Sequence, residues 1–145
     1  MTTLVDNIQN LAEAIRDKLN LMNTALRPAA ITVVVDGGGI VVASGVKIDV
    51  VVPFECVITG WTILADQVGS AEFDIWKTDY TNAPATVSDS IVGTHPPTLE
   101  MTDKAQSTDL SDWNLIAHEN DVIRVALNSA SIVTRLTLTL LVLRD

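Results

Sequence analysis

Leu26-Arg27-Pro28-Ala29-Ala30-Ile31-Thr32-Val33-Val34-Val35 is the stretch in which one hydrophobic period gives way to another. Upstream of it, Leu4, Ile8, Leu11, Ile15, Leu19, Met22 and Leu26 recur at intervals of three and four residues, the spacing of one face of an α-helix. Downstream, Ile31 to Val35 opens about 115 residues of short strand-like runs cut by Gly, Pro, Asn and Asp. Pro28 closes the helical part, because the residue before a proline is pushed away from helical angles. The chain therefore divides into an N-terminal helix over residues 1–27, a tether over 28–30 and a β domain over 31–145.

The helical stripe has a mean spacing of about 3.67 residues, nearer an eleven-residue repeat than a heptad, which goes with a straight or slightly right-handed bundle. A strict heptad fails at Lys18, where the stripe moves on to Leu19. Asn7, Asn10, Arg16, Asp17, Asn20 and Asn23 fill the opposite face, so the segment is amphipathic. Thr2 or Thr3 is placed to cap its start, and Asp6 suits the positive end of the helix dipole. An isolated helix of this length is marginal in water and needs a partner. Two are open to it: the face of its own β domain, or copies of itself in a two- or three-stranded bundle.

In the β part, strands are expected near 31–35, 40–43, 46–52, 56–66, 71–77, 91–93, 98–101, 105–109, 122–128 and 132–143. Asp36-Gly37-Gly38-Gly39 reads as a hairpin turn between the first two, since glycines supply positive φ. The last strand alternates most clearly, with Ile132, Thr134, Leu136, Leu138, Leu140 and Val142 on one face. Residues 78–121, rich in Pro, Ser, Thr, Asp and Asn, read as long loops and brief edge strands. The fold class is mainly β: an antiparallel β-sandwich of jelly-roll or Greek-key type preceded by one amphipathic helix.

Composition narrows the function. The net charge is −9, and because Asp6, Glu13 and Asp17 cancel Arg16, Lys18 and Arg27, all of it lies in the β part. Such a domain repels phosphate backbones and anionic bilayers, so nucleic acid is not an expected partner. No apolar run approaches the length of a membrane span, and the first residues lack a secretory signal pattern, so membrane insertion is not expected either. A single cysteine, Cys56, excludes an internal disulfide and reads as a buried structural thiol.

Catalytic signals are thin. His95 and His118 stand apart without zinc-ligand spacing, no nucleophile elbow or phosphate-binding loop occurs, and no calcium loop organises the acidic stretches. Glu72 and Asp74 share one face of a strand, the arrangement a glycosidase would need, but a solvated strand face explains them as well. No catalytic residue, metal or cofactor is assigned. Among the few aromatics, Trp61 and Phe73 read as core, whereas Trp76, Tyr80 and Trp113, if exposed, are candidates for contact with a saccharide ring or a protein surface.

Several stretches carry a resemblance. Asp74-Ile75-Trp76-Lys77-Thr78-Asp79-Tyr80-Thr81-Asn82-Ala83-Pro84, Pro97-Thr98-Leu99, Lys104-Ala105-Gln106-Ser107-Thr108-Asp109-Leu110-Ser111-Asp112-Trp113, Asn120-Asp121-Val122-Ile123-Arg124 and the closing Ser129 to Leu140 follow a pattern that resembles the C-terminal β head of phage tail-fibre and fibre-like virion proteins. The resemblance covers roughly residues 31–143. It implies a non-enzymatic virion protein on the exterior of the particle, a homotrimer displaying a β head to a host-surface glycan or protein. Other virion proteins, of tail or capsid, would be its partners. Only a short helix precedes the head, so a stubby fibre or tail-tip protein is expected, with a trimeric capsid decoration or head-fibre protein as the alternative. A carbohydrate-active enzyme on the same scaffold is the third.

Overall fold

The structure, a computed structural model, describes residues 1–145, with side chains throughout except at residues 24–26. One helix, α1 (Leu4–Leu26), is followed by seven strands: β1 (Pro28–Asp36), β2 (Lys47–Val51), β3 (Cys56–Thr78), β4 (Thr98–Ser107), β5 (Ile116–Ala117), β6 (Val122–Ser131) and β7 (Arg135–Arg144). Thr3 caps α1 reciprocally with Asp6. The Asp6 N–H donates to Thr3 Oγ1 at 3.1 Å, and the Thr3 N–H donates to Asp6 Oδ2 at 3.0 Å, satisfying donors the first turn would otherwise leave open.

All pairings are antiparallel, and the strand order is β1-β7-β3-β6-β2, with β4 and β5 on the other edge of β3. The N-terminal half of β3 pairs with β7 and its C-terminal half with β6, so β6 and β7 form one continuous track beside a single long strand. The sheet curls where both tracks pass from one wing to the other. The first wing is β1, β7 and the start of β3; the second is β2, β6 and the end of β3. Alternate residues of both wings point to one shared core, including Val33, Leu138 and Ile63 from the first and Phe73, Val125 and Ile123 from the second. A mainly β, curled antiparallel sheet with an N-terminal helix is thus established, an arrangement compatible with a β-sandwich.

Hydrogen bonds at the curl hold the crossing in place. Asp66 on β3 accepts from the Thr134 N–H at 2.9 Å, the Arg135 N–H at 3.0 Å and the Thr134 hydroxyl at 2.5 Å. Gln67 Nε2 donates to the Ile132 carbonyl at 2.7 Å. Gly69 lets the strands approach here, since a Cβ on it would lie 2.5 Å from the Ser131 carbonyl oxygen.

Several expectations change. Residues 28–30 are not a free tether: Pro28, Ala29 and Ala30 pair with Leu143, Val142 and Leu141 as the start of β1. The runs 56–66 and 71–77 form one strand, because Gly69-Ser70 serves the crossing and does not break it; 98–101 and 105–109 also merge, into β4. Residues 40–43 and 91–93 are not strands, since their backbone groups bond singly to neighbours, Val42 N–H to the Val133 carbonyl and Ile91 N–H to the Ile75 carbonyl. The glycine turn after Asp36 makes no hairpin; it carries the chain from β1 in one wing to β2 in the other. Ile132 has φ of 73° in the β6–β7 turn and is exposed, and Val133 takes the core position instead.

Candidate functional site

The helix stripe is uncovered. Leu4, Ile8, Leu11, Ile15, Leu19 and Met22 are each more than half exposed, as are Val5 and Leu21 beside them. Leu26, the seventh stripe position, lies outside the described side chains. Full burial of a Leu, Ile or Met side chain is worth about 1.5–3 kcal/mol. Each of these residues therefore leaves on the order of 1 kcal/mol unrealised in the single chain. The junction with the head is short and bonded. Arg27 alone separates α1 from β1, its Nε donating to the Arg144 carbonyl and its carbonyl accepting from the Arg144 N–H, both at 2.8 Å.

Strand register places the outward residues of the first wing in rows. Val34, Thr137, Leu64 and Lys104 lie side by side across β1, β7, β3 and β4. Thr32, Thr139, Thr62 and Gln106 form the next row, and Ala30, Leu141 and Gly60 the third. Pro28, Leu143, Val57 and Ile116 complete the face at the end nearest the helix. Lys104, at one corner, is the formal charge in these rows, among the described residues. Asp36, Arg135 and Asp66 stand beyond the Val34 row, with the Asp66 carboxyl held down at about 2 by the Thr134 hydroxyl and the Arg135 N–H. Leu64 and Val34 are 52% and 51% exposed. Three shallow grooves open on this face, one of 420 Å³ between Trp61, Gln106, Thr108 and Leu141, with Asp109 at its rim.

The outward rows of the second wing differ. Asp49, Arg124 and Trp76 share one row, with Arg124 donating to both Asp49 oxygens at 2.7 Å; that pair holds the Asp49 carboxyl below its usual range. Asp74 accepts from the Trp76 indole N–H at 2.7 Å and from the Ser90 hydroxyl at 2.6 Å. Ala85 packs on Trp76 and Ala126, and Lys47 lies 5.9 Å from the centre of the Trp76 ring. Residues 79–90 thus form a strap over this face.

Among the candidate recognition aromatics, Tyr80 is exposed, at 71%, at the start of the short 3-10 turn Tyr80–Asn82. Trp76 is buried under the strap, and Trp113 is buried with its indole N–H donating to the His95 carbonyl at 2.9 Å. The three do not form one surface. Glu72 and Asp74 do share a strand face, and Asp74 is engaged as the anchor of the strap. The histidines each meet a carboxylate that the sequence did not suggest: His118 Nδ1 lies 2.7 Å from Glu55 and His95 Nδ1 3.6 Å from Asp112. Burial pushes the Cys56 thiol up, and the Glu55 carboxylate adds to it. Among the described residues no three of His, Cys, Asp and Glu converge on one point, and no helix is long and apolar enough to cross a membrane. The nearly uncharged outer face of the first wing was legible only as ordinary alternation, because pairing partners far apart in sequence assemble it.

No protein family matches the sequence, and no curated protein does. Among solved structures, the chain is similar to RmlC from Streptococcus suis, determined with dTDP-D-xylose, at 7% identity and a TM-score of 0.33. That match covers 82% of this chain, which spans 45% of the RmlC chain. It is also similar to a CBM4 structure, at 19% identity over 80% of this chain and 82% of the other, with a TM-score of 0.37. The coat protein dimer of Tobacco streak virus gives 11% identity over 83% and 88%, with a TM-score of 0.33.

Proposed function

We propose that this chain is a non-enzymatic structural protein of a bacteriophage virion, a homotrimer in which three α1 helices form a short bundle that attaches to the particle. The β head is displayed outward, as a stubby fibre or tail-tip protein touching the host surface through the segment 78–121. The observation that carries the self-association is the uncovered stripe from Leu4 to Met22 on a capped helix joined to the head through one residue. A helix with this stripe is stable in water only with a partner, and the described stripe side chains have none within the chain. The virion assignment rests on the resemblance of residues 31–143 to fibre-head sequences. Within the same reading the curled sheet is a jelly-roll sandwich, formed by folding the long β3 and β6–β7 ribbon over at Asp66.

A second reading keeps the trimer and moves it to the capsid shell as a decoration protein. It is favoured by the helix length, about 35 Å for 23 residues, which is the size of a short anchor.

Sedimentation equilibrium of the whole chain tests the assembly. A mass near three times 15.6 kDa is expected. A monomer overturns the self-association, and a dimer overturns the threefold arrangement. Antibody labelling of intact particles separates the two placements, with signal at the tail expected and signal spread over the shell supporting the second. Absence from purified particles removes the virion assignment.

A further inference from the structure

We infer that the bare outer face of the first wing, centred on Thr139 and Leu64, is the surface on which the head of one copy packs against the head of another. The inference rests on the self-association proposed above and adds to it a named head-to-head interface.

Charge selects this face. The β part carries the entire −9, so two heads approaching through most of their surface meet like charge. The rows from Val34 to Leu143 offer aliphatic and threonine side chains with Lys104 at a corner, and carry the mixed signs of Asp36, Asp66 and Arg135 at the rim. An uncharged centre of aliphatic and threonine side chains with a two-signed rim matches the depletion of charge at the core of protein–protein interfaces. The corresponding face of the second wing is already occupied by the strap over Trp76 and by the Asp49–Arg124 pair.

Area and continuity point to a second copy as the occupant. Four strands at about 4.8 Å spacing and rows spanning about 20 Å give a face on the order of 400 Å². The helix stripe, about 35 Å long and roughly 10 Å wide, adds a comparable amount. Each alone is about half of the roughly 800 Å² per partner of a stable interface, and together they reach it. The two surfaces are also contiguous in the chain: α1 ends at Leu26, and Pro28, paired with Leu143, is the first residue of the bare face. Copies joined by their helices at that end bring this end of the face close to its counterparts.

The experiment uses the whole chain with Thr139→Arg and, separately, Leu64→Glu, the latter at an exposed position where the fold itself loses little. Val87→Arg, on the exposed outside of the strap, is the control. Unfolding midpoints are compared first; dissociation constants are then taken from sedimentation over a dilution series. Both face variants should raise the dissociation constant by about tenfold or more while the control leaves it unchanged. If the parent chain is an oligomer and both face variants dissociate as it does, the head-to-head interface is overturned and the helix bundle stands. If Leu11→Asp with Ile15→Asp leaves association unchanged while the face variants weaken it, the helix bundle fails and the head interface stands. A parent chain that is monomeric throughout the series overturns both.

Discussion

The outer face of the second wing carries charge and, over β6 and the end of β3, is covered; the outer face of β1, β7 and the start of β3 is almost without charge and is bare. Both arise from the same two-residue alternation on opposite wings of one curled sheet. On the second wing, Asp49 meets Arg124 and Asp74 meets Trp76 and Ser90, so the polar groups are satisfied inside the chain and the strap can close over them. On the first wing, threonines and aliphatic residues sit opposite one another, as at Thr32 and Thr139, whose hydroxyls are 3.2 Å apart. Nothing there bonds a strap. A face whose groups are satisfied internally is finished within one chain, whereas a face that exposes Leu64, Val34 and Leu141 gains stability by covering them.

Breaking the covered face should have the largest effect on the single chain. Trp76→Ala empties the space between Ala85, Ala126 and the strap and removes the indole bond to Asp74, and should cost about 3 kcal/mol or more in urea unfolding, with the solution mass unchanged. At the crossing between the wings, Gly69→Ala forces a Cβ against the Ser131 carbonyl and the Val133 side chain and should cost about 1–3 kcal/mol in the same measurement.

Acid acts at the same crossing. Asp66 has its folded pKa at about 2, below its ordinary value of 3.8, so its contribution is fully present above 3.8 and is lost as pH falls towards 2. The thermal midpoint should drop through that window, and Asp66→Asn should flatten this part of the profile. Asp49 and Glu55, also lowered by their partners, leave a remaining slope. The smallest effect is expected on the bare face: Thr139→Val should change the stability of the single chain by no more than about 0.5 kcal/mol. A large loss there would mean that the face is already engaged within its own chain.

Much of the architecture was legible. The shift of period at Pro28 marks where α1 ends, the Leu136 to Val142 alternation faces the core, and Thr3 caps the helix with Asp6. The strand count was less so, because Gly69-Ser70 and the Asp36–Gly39 turn look like breaks or hairpins locally and are crossings between wings globally. Ile132 was misplaced for a related reason: its hydrophobicity fits the alternation, but the chain turns there with positive φ. The aromatic candidates separated because exposure depends on loops. The strap buries Trp76, and the His95 carbonyl takes the Trp113 indole, while Tyr80 stays outside.

Local periodicity by itself determined a helix with one apolar stripe, a β part with alternating faces, and the placement of all net charge in the latter. Those properties follow from residues three or four apart, or two apart, and need no distant partner. Only the tertiary structure decided which alternating face would be covered. Register pairs Thr139 with both Thr32 and Thr62 across more than seventy residues of chain, and residues 79–90 lie over the other wing. The character of a sheet face is a property of its neighbours across strands, and that adjacency is fixed only when the ribbon curls.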